Sequence, residues 1–276
     1  IAGYLLSCFR YRDYVERLVS IDKSRRADCY LDLEHPEAFE YSALDDLDYV
    51  IFTAAISGPD ACADHFDFCW SVNVTGTKYF IEEAIRRKCK VLFFSSDAVF
   101  GDIPGAIYTE SSETNALTPY GRMKKAVEDA FKQSSRFKVI RLSYVASAGD
   151  RFVTYCRNCI QKGETAEVFH PFYRNCIVVS DVVQVVEWLG LHWEEYPYFA
   201  LNVAGEELVS RVRIADELNR IYNERLSYKV VTPEENFYKN RPKITQMRSD
   251  YLAQYSILKS ESFTEKLQRE MKDIKV

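Results

Sequence analysis

"CKVLFFSSDAVFG", residues 89–101, decides how this chain folds. Val91, Leu92, Phe93 and Phe94 follow one another with no polar face, so a strand here is covered on both sides. Two serines and an aspartate end the run. Working outward, "VNVTGTKYFIEEAIRRK" (72–88) carries Val74, Ile81, Ala84 and Ile85 at helical spacing. "TPYGRMKKAVEDAF" (118–131) carries Met123, Ala126, Val127, Ala130 and Phe131 at i, i+3, i+4, i+7 and i+8, an amphipathic helix. Beyond these lie further apolar runs: "RLVSID" (17–22), "DYVIFTAA" (48–55) and "FKVIRLSYVA" (137–146). Apolar strands alternating with amphipathic helices specify a parallel sheet with helices on both faces, a doubly wound α/β fold.

The pattern changes after about residue 148. "NCIVVSDVVQVVEWLG" (175–190) and "YFALNVAG" (198–205) still read as strand, helix and strand, whereas 206–276 is helix-rich and charged, with "RIADELNRIYNE" its clearest helix. The expectation is a sheet domain over 1–148 and 175–204, and a smaller, partly interleaved lobe over 149–174 and 205–276.

A chain of 276 residues with 47% hydrophobic and 28% charged residues is ordinary for a soluble globular protein. A net charge of −5 argues against nucleic acid or an anionic membrane as the main partner. No run approaches the roughly 20 apolar residues of a membrane span, and no basic-then-apolar leader is legible. Of eight scattered cysteines only Cys156 and Cys159 form a C-x-x-C, in the helical-looking "RFVTYCRNCIQKG", with no second pair to complete a zinc site. Scattered thiols suit a reducing compartment, hence a cytoplasmic location.

In a doubly wound sheet, ligands bind beyond the carboxyl ends of the strands. Asp22 ends the second expected strand, where a carboxylate accepts the hydroxyls of an adenosine ribose or simply caps a turn. Ala54 and Ala55 let a flat ligand approach the backbone. Ser95 and Ser96 close the longest apolar strand. Thr118 suits a helix cap and Pro119 its first turn, which puts Tyr120 one residue in and Lys124 a turn later on the same side. A phenol with a pKa of about 10 exchanges protons poorly at neutral pH; a neighbouring ammonium is expected to lower that value. Tyr255 and Lys259 repeat the spacing, but no apolar strand leads into them, and they read as structural.

The order of these pieces resembles the extended short-chain dehydrogenase/reductase superfamily, whose members are Rossmann-like and act mainly on nucleotide-linked sugars. "YVIFTAA", "VNVTGT", "SSDAVFG", "PYGRMK", "VIRLSYV", "IVVSDVV" with Asp181, and "LNVAGEELVS" each resemble a family element, in family order. The resemblance implies Ser96 as the catalytic hydroxyl, counted back four from Phe100, with Tyr120 and Lys124 as the proton-transfer pair. It implies Asn73 as a holder of the site's architecture beside the cofactor, and Asp22, Asp32, Leu33, Ala54, Ala55, Tyr120 and Lys124 along a dinucleotide. "IAGYLL" resembles only the end of the family's Gly-x-x-Gly-x-x-Gly turn, with Gly3 as its third glycine. The preceding strand and glycines are expected upstream of Ile1.

Dehydratases of this superfamily carry Asp-Glu after the catalytic hydroxyl; Asp97 and Ala98 stand here instead, which argues against dehydration. "SSDAVF" and the later "RPKITQMRSDYL" resemble dTDP-4-dehydrorhamnose reductases, so Ser96, Asp97 and Arg241 are the expected substrate contacts. "AVFG" is equally similar to the 4-epimerases, which use tightly bound NAD. A non-catalytic relative that binds a dinucleotide to regulate a partner is the contrasting reading, and the complete set of Ser96, Tyr120 and Lys124 argues against it. Asp22 favours NAD, while Lys23, Arg25 and Arg26 leave NADP open. Metal is not expected, and a homodimer is expected only by analogy.

Overall fold

The computed structural model describes residues 1–274, which divide into two compact units. The first comprises 1–101, 113–141 and 189–201; the second comprises 102–112, 142–188 and the described residues from 202 onward. These boundaries differ from the 1–148 and 175–204 division read from the alternation: 102–112, 142–148, 175–188 and 202–204 fall in the second unit.

The first unit is built on a four-stranded sheet in the order Ala200–Val203, Phe137–Leu142, Lys90–Ser96, Tyr49–Phe52. The last two pair in parallel, from Tyr49 opposite Lys90 to Phe52 opposite Phe93. Val139 donates to Phe199 O, so the outer strand also runs alongside its neighbour. Every residue of Phe137–Leu142 is buried, as a strand covered on both faces must be. Val91, Phe93, Phe137 and Val139 pack with Phe52, Phe80, Ile81, Ala84, Val127 and Phe131, which joins the sheet to the helices Thr77–Arg86 and Pro119–Phe131. Of "RLVSID", only Ile21–Asp22 forms a strand, paired in parallel with Cys29–Tyr30.

Around residue 73 the chain runs through the short helices Pro59–Asp64 and Phe66–Trp70 into a π-helical turn, Ser71–Gly76. Gly76 is obligatory there, since a Cβ would lie 1.8 Å from the carbonyl oxygen of Leu33.

The second unit contains a mixed sheet in the order Leu208–Ser210, Tyr173–Asn175, Ile244–Met247, Ile107–Tyr108. Its core gathers Val153, Cys156 and Ile160 with Ile214, Leu218, Phe263 and Leu267, from the helices Arg151–Lys162, Arg211–Ile221 and Phe263–Met271. Asp150 caps the first of these by accepting from Phe152 and Val153 N–H, and Gly163 ends it in the left-handed region. Cys156 and Cys159 are thus core residues of a helix, and burial pushes the Cys156 thiol up to about 12. Among the described residues no cluster of His, Cys, Asp or Glu could hold a metal, and no helix is long and apolar enough to cross a membrane.

Candidate active site

The strand Lys90–Ser96 ends in the tight turn Asp97–Val99, capped by Ser96, whose Oγ accepts from Ala98 N–H at 3.2 Å and donates to Asp97 at 3.0 Å. Against this turn sits the start of the Pro119–Phe131 helix. Thr118 Oγ1 accepts from Gly121 N–H at 3.2 Å, the expected cap. A Cβ on Gly121 would lie 2.0 Å from Ala98 O, so glycine lets the helix backbone touch the turn. Tyr120, beside that glycine, is therefore carried to the Ser96–Asp97 end of the strand.

Lys124 follows one turn later and is buried, 3% exposed. Its Nζ donates to Phe94 O at 2.7 Å and lies 4.5 Å from the centre of the Phe93 ring. The ammonium stands 5.8 Å over the Tyr120 ring. Burial lowers its pKa to about 7, opposed by the Glu128 carboxylate and, less, by Cys62. For Tyr120 the sequence expectation is corrected. Its phenol is raised rather than lowered, first by burial and then by Cys62 and Asp97. Burial dominates, and Lys124 faces the ring and a backbone carbonyl while the Asp97 carboxylate opposes ionisation.

Asn73 holds the far wall. Its Oδ1 accepts from Ile56 N–H at 2.8 Å, and its Nδ2 donates to Ile56 O at 2.9 Å and to Met123 Sδ at 3.5 Å. One buried amide thereby ties the chain just beyond Ala54 and Ala55 to the helix that carries Tyr120. Cys62, fully buried beside it, donates to Ile56 O at 3.2 Å, and burial together with Cys69 pushes its thiol up to about 12.

Toward the expected dinucleotide end, Asp22 is exposed and accepts from Ser24 N–H at 2.7 Å. Asp32 pairs with Lys23 at 2.7 Å, which holds its carboxyl below the usual carboxylate range. Lys23 also reaches Glu34 at 3.1 Å. Leu33 is buried beneath Gly76, Ala54 is exposed and Ala55 half-buried. Gly3 lies in the first turn of the helix Ala2–Phe9, whose leading N–H groups have no intrahelical partner and suit an anion.

Arg241 belongs to the second unit, where it lies 5.0 Å over Phe237. Arg211 stands 5.7 Å from the same ring and 4.7 Å over Phe172, and Arg174 lies 4.3 Å over Phe172. Burial and Arg241 both lower the Arg211 pKa, the first more strongly. Arg174 donates to Tyr173 O and Pro242 O and Arg241 to Phe237 O, so backbone carbonyls as well as the two rings hold these guanidiniums together. Tyr255 caps a short helix, its ring tilted against that of Trp188 at 5.3 Å between centres, while Lys259 lies beyond that helix's end.

Sequence reasoning missed Cys62, Glu128, Arg141, Arg174 and Arg211. Only the aromatic residues around Arg211 carried any signal, and those fit a core equally well.

A doubly wound sheet whose longest strand ends at a serine, with Tyr-x-x-x-Lys on the adjoining helix, defines an α/β protein of the dinucleotide-binding type. The sequence matches the RmlD substrate binding domain family over residues 15–276, and the chain belongs to that family. It is 28% identical over 189 residues to the dTDP-4-dehydrorhamnose reductase of Aggregatibacter actinomycetemcomitans, covering 66% of this chain and 63% of that protein. The chain thus spans less than two thirds of that relative's length. The fold is shared with the dTDP-4-dehydrorhamnose reductase from Yersinia enterocolitica (TM-score 0.82, 20% identity, 98% and 94% of the two chains). It is also shared with the one from Bacillus anthracis in complex with NADP (TM-score 0.75, 21% identity, 89% and 87%).

Proposed function

We propose that this chain is an NAD(P)-dependent oxidoreductase of a nucleotide-linked sugar, and that it reduces a 4-keto group. One observation carries the reading: Ser96, Asp97, Tyr120 and Lys124 meet at one strand end, through a Gly121–Ala98 contact that no other residue would permit. The chain's place in the RmlD substrate binding domain family supports it.

The dinucleotide, when bound, supplies the hydride. Ser96 Oγ donates to the substrate oxygen and holds it toward Tyr120. As hydride reaches the carbon, Tyr120 gives its proton to that oxygen, so the ketone becomes a hydroxyl. A phenol kept protonated by its surroundings is ready to act as the acid. Lys124 then stabilises the phenolate and holds the nicotinamide ribose. Asn73 keeps Ala54 and Ala55 in place beneath the cofactor. At the other end, Asp22 meets the adenosine ribose. Its carboxylate repels a 2′-phosphate and so favours NAD, and Lys23, engaged by Asp32 and Glu34, does not offset it. In the second unit, Arg241 is the candidate contact for an anionic part of the substrate. Eight free thiols suit a reducing compartment such as the cytoplasm.

The test is to titrate the protein with NADH and NADPH and follow reduced nicotinamide with a panel of nucleotide-linked 4-keto sugars. Oxidation of the cofactor is expected with at least one sugar, and Arg241→Ala should raise KM more than it lowers kcat. Tight dinucleotide binding with sugar epimerisation and no net oxidation would replace reduction by 4-epimerisation. Failure to bind either dinucleotide would overturn the enzyme reading.

A further inference from the structure

Beneath the Tyr120–Lys124 pair lies a row of buried charge that the reaction as written does not use. Glu128 is one turn beyond Lys124 on the same helix and is 2% exposed. Its carboxylate accepts from Ser95 Oγ at 2.5 Å and from both Nε (3.2 Å) and Nη2 (2.7 Å) of Arg141, which is 5% exposed. The guanidinium also lies 5.2 Å over the Phe100 ring, at the end of the turn that begins with Ser96. Its remaining Nη1 has no hydrogen-bond partner among the described residues.

Buried ion pairs seldom earn their place through stability, since apolar residues of similar volume do as well or better. The groups that face Lys124 suggest another role. Tyr120 and Glu128 come from its own helix, Cys62 from the Pro59–Asp64 helix, and the Phe94 carbonyl from the central strand. Arg141 stands behind Glu128 on the next strand. Tyr120 and Cys62 are neutral, so Glu128 is the one negative charge in the set. We infer that Glu128 is a positioning residue that keeps Lys124 protonated, with Ser95 and Arg141 fixing its carboxylate under the helix. This deepens the proposed proton-transfer role of Lys124 and rests on that reading. Burial drives the ammonium toward its neutral form, and a neutral amine cannot stabilise a phenolate; the Glu128 charge opposes that loss.

The test compares wild type with Glu128→Gln, and with the double variant Glu128→Gln/Arg141→Gln, which leaves no unpaired guanidinium in the core. Protein labelled with 13C-lysine gives the titration midpoint of Lys124 from its Cε resonance, assigned by its loss in Lys124→Met. In both variants the midpoint should fall by roughly one to three pH units, and the alkaline limb of kcat/KM should move to lower pH by the same amount. A loss of activity uniform in pH, with the midpoint unmoved, would overturn the inference and leave Glu128 a packing residue. A displaced midpoint in a chain that turns over no sugar would uphold the electrostatic role and sink the oxidoreductase reading alone.

Discussion

Lys124 is the residue on which chemistry and stability pull apart. A free lysine has a pKa of about 10.4, whereas this one is lowered by burial to about 7. Between those values the unfolded chain holds a proton that the folded chain has released, so stability rises with pH across that window. Below pH 7 the whole cost of the buried ammonium is present, and lowering a pKa by one costs about 1.4 kcal/mol. Lys124→Met removes the charge while keeping most of the length. Its thermal midpoint should exceed that of the wild type at about pH 6, and the gap should close by about pH 10, while turnover is lost. An equal gap at both pH values in thermal melts would show that the charge state of Lys124 does not set the difference. Asn73 makes the opposite case, a buried polar group with its amide oxygen and nitrogen both satisfied by one residue, Ile56.

At the scale of elements, the site depends on how closely one helix approaches one turn. Ser96 caps the turn, Thr118 caps the helix, and Gly121 sets the separation between them. In Gly121→Ala the new methyl must push the helix and the Asp97–Val99 turn apart, a strain worth about 1–3 kcal/mol in a packed region. The expected outcome is a folded protein, seen by circular dichroism, with kcat reduced at least tenfold because Tyr120 has moved relative to Ser96. Undiminished kcat in that variant would mean that the contact does not position the acid. The cap and the proline were legible before the structure, because both follow from local backbone chemistry. The buried face of this helix was only partly so. Met123, Val127 and Phe131 are buried as their spacing demanded, but Ala130 is exposed, and Lys124 and Glu128 are buried beside them. A polarity pattern places charges outward, so it passes over a lysine and a glutamate whose partners, Phe94 O and Arg141, come from the strands on either side of the helix in sequence. The π-helical turn at Ser71–Gly76 was illegible for a similar reason, since the close approach of Leu33 to Gly76 has no local signature.

For the whole molecule, alternation of apolar strands and amphipathic helices was enough to give the doubly wound sheet, because burial on both faces forces that composition. It did not give the division into units, since 102–112 joins the second unit through the pairing of Ile107–Tyr108 with Gln246–Met247, far along the chain. Nor did it give the arginine cluster at Phe172 and Phe237, where three separate segments meet. The central claim joins these scales: Tyr120 donates the proton while the rest of the fold holds cofactor and sugar. The most direct measurement is turnover of the reduced cofactor and a nucleotide-linked 4-keto sugar by wild type and by Tyr120→Phe, each first shown to bind the dinucleotide. Loss of a positioned general acid is expected to lower kcat by about 10²–10⁴-fold with dinucleotide affinity unchanged. A Tyr120→Phe protein that binds the cofactor and turns over at the wild-type rate would contradict the account.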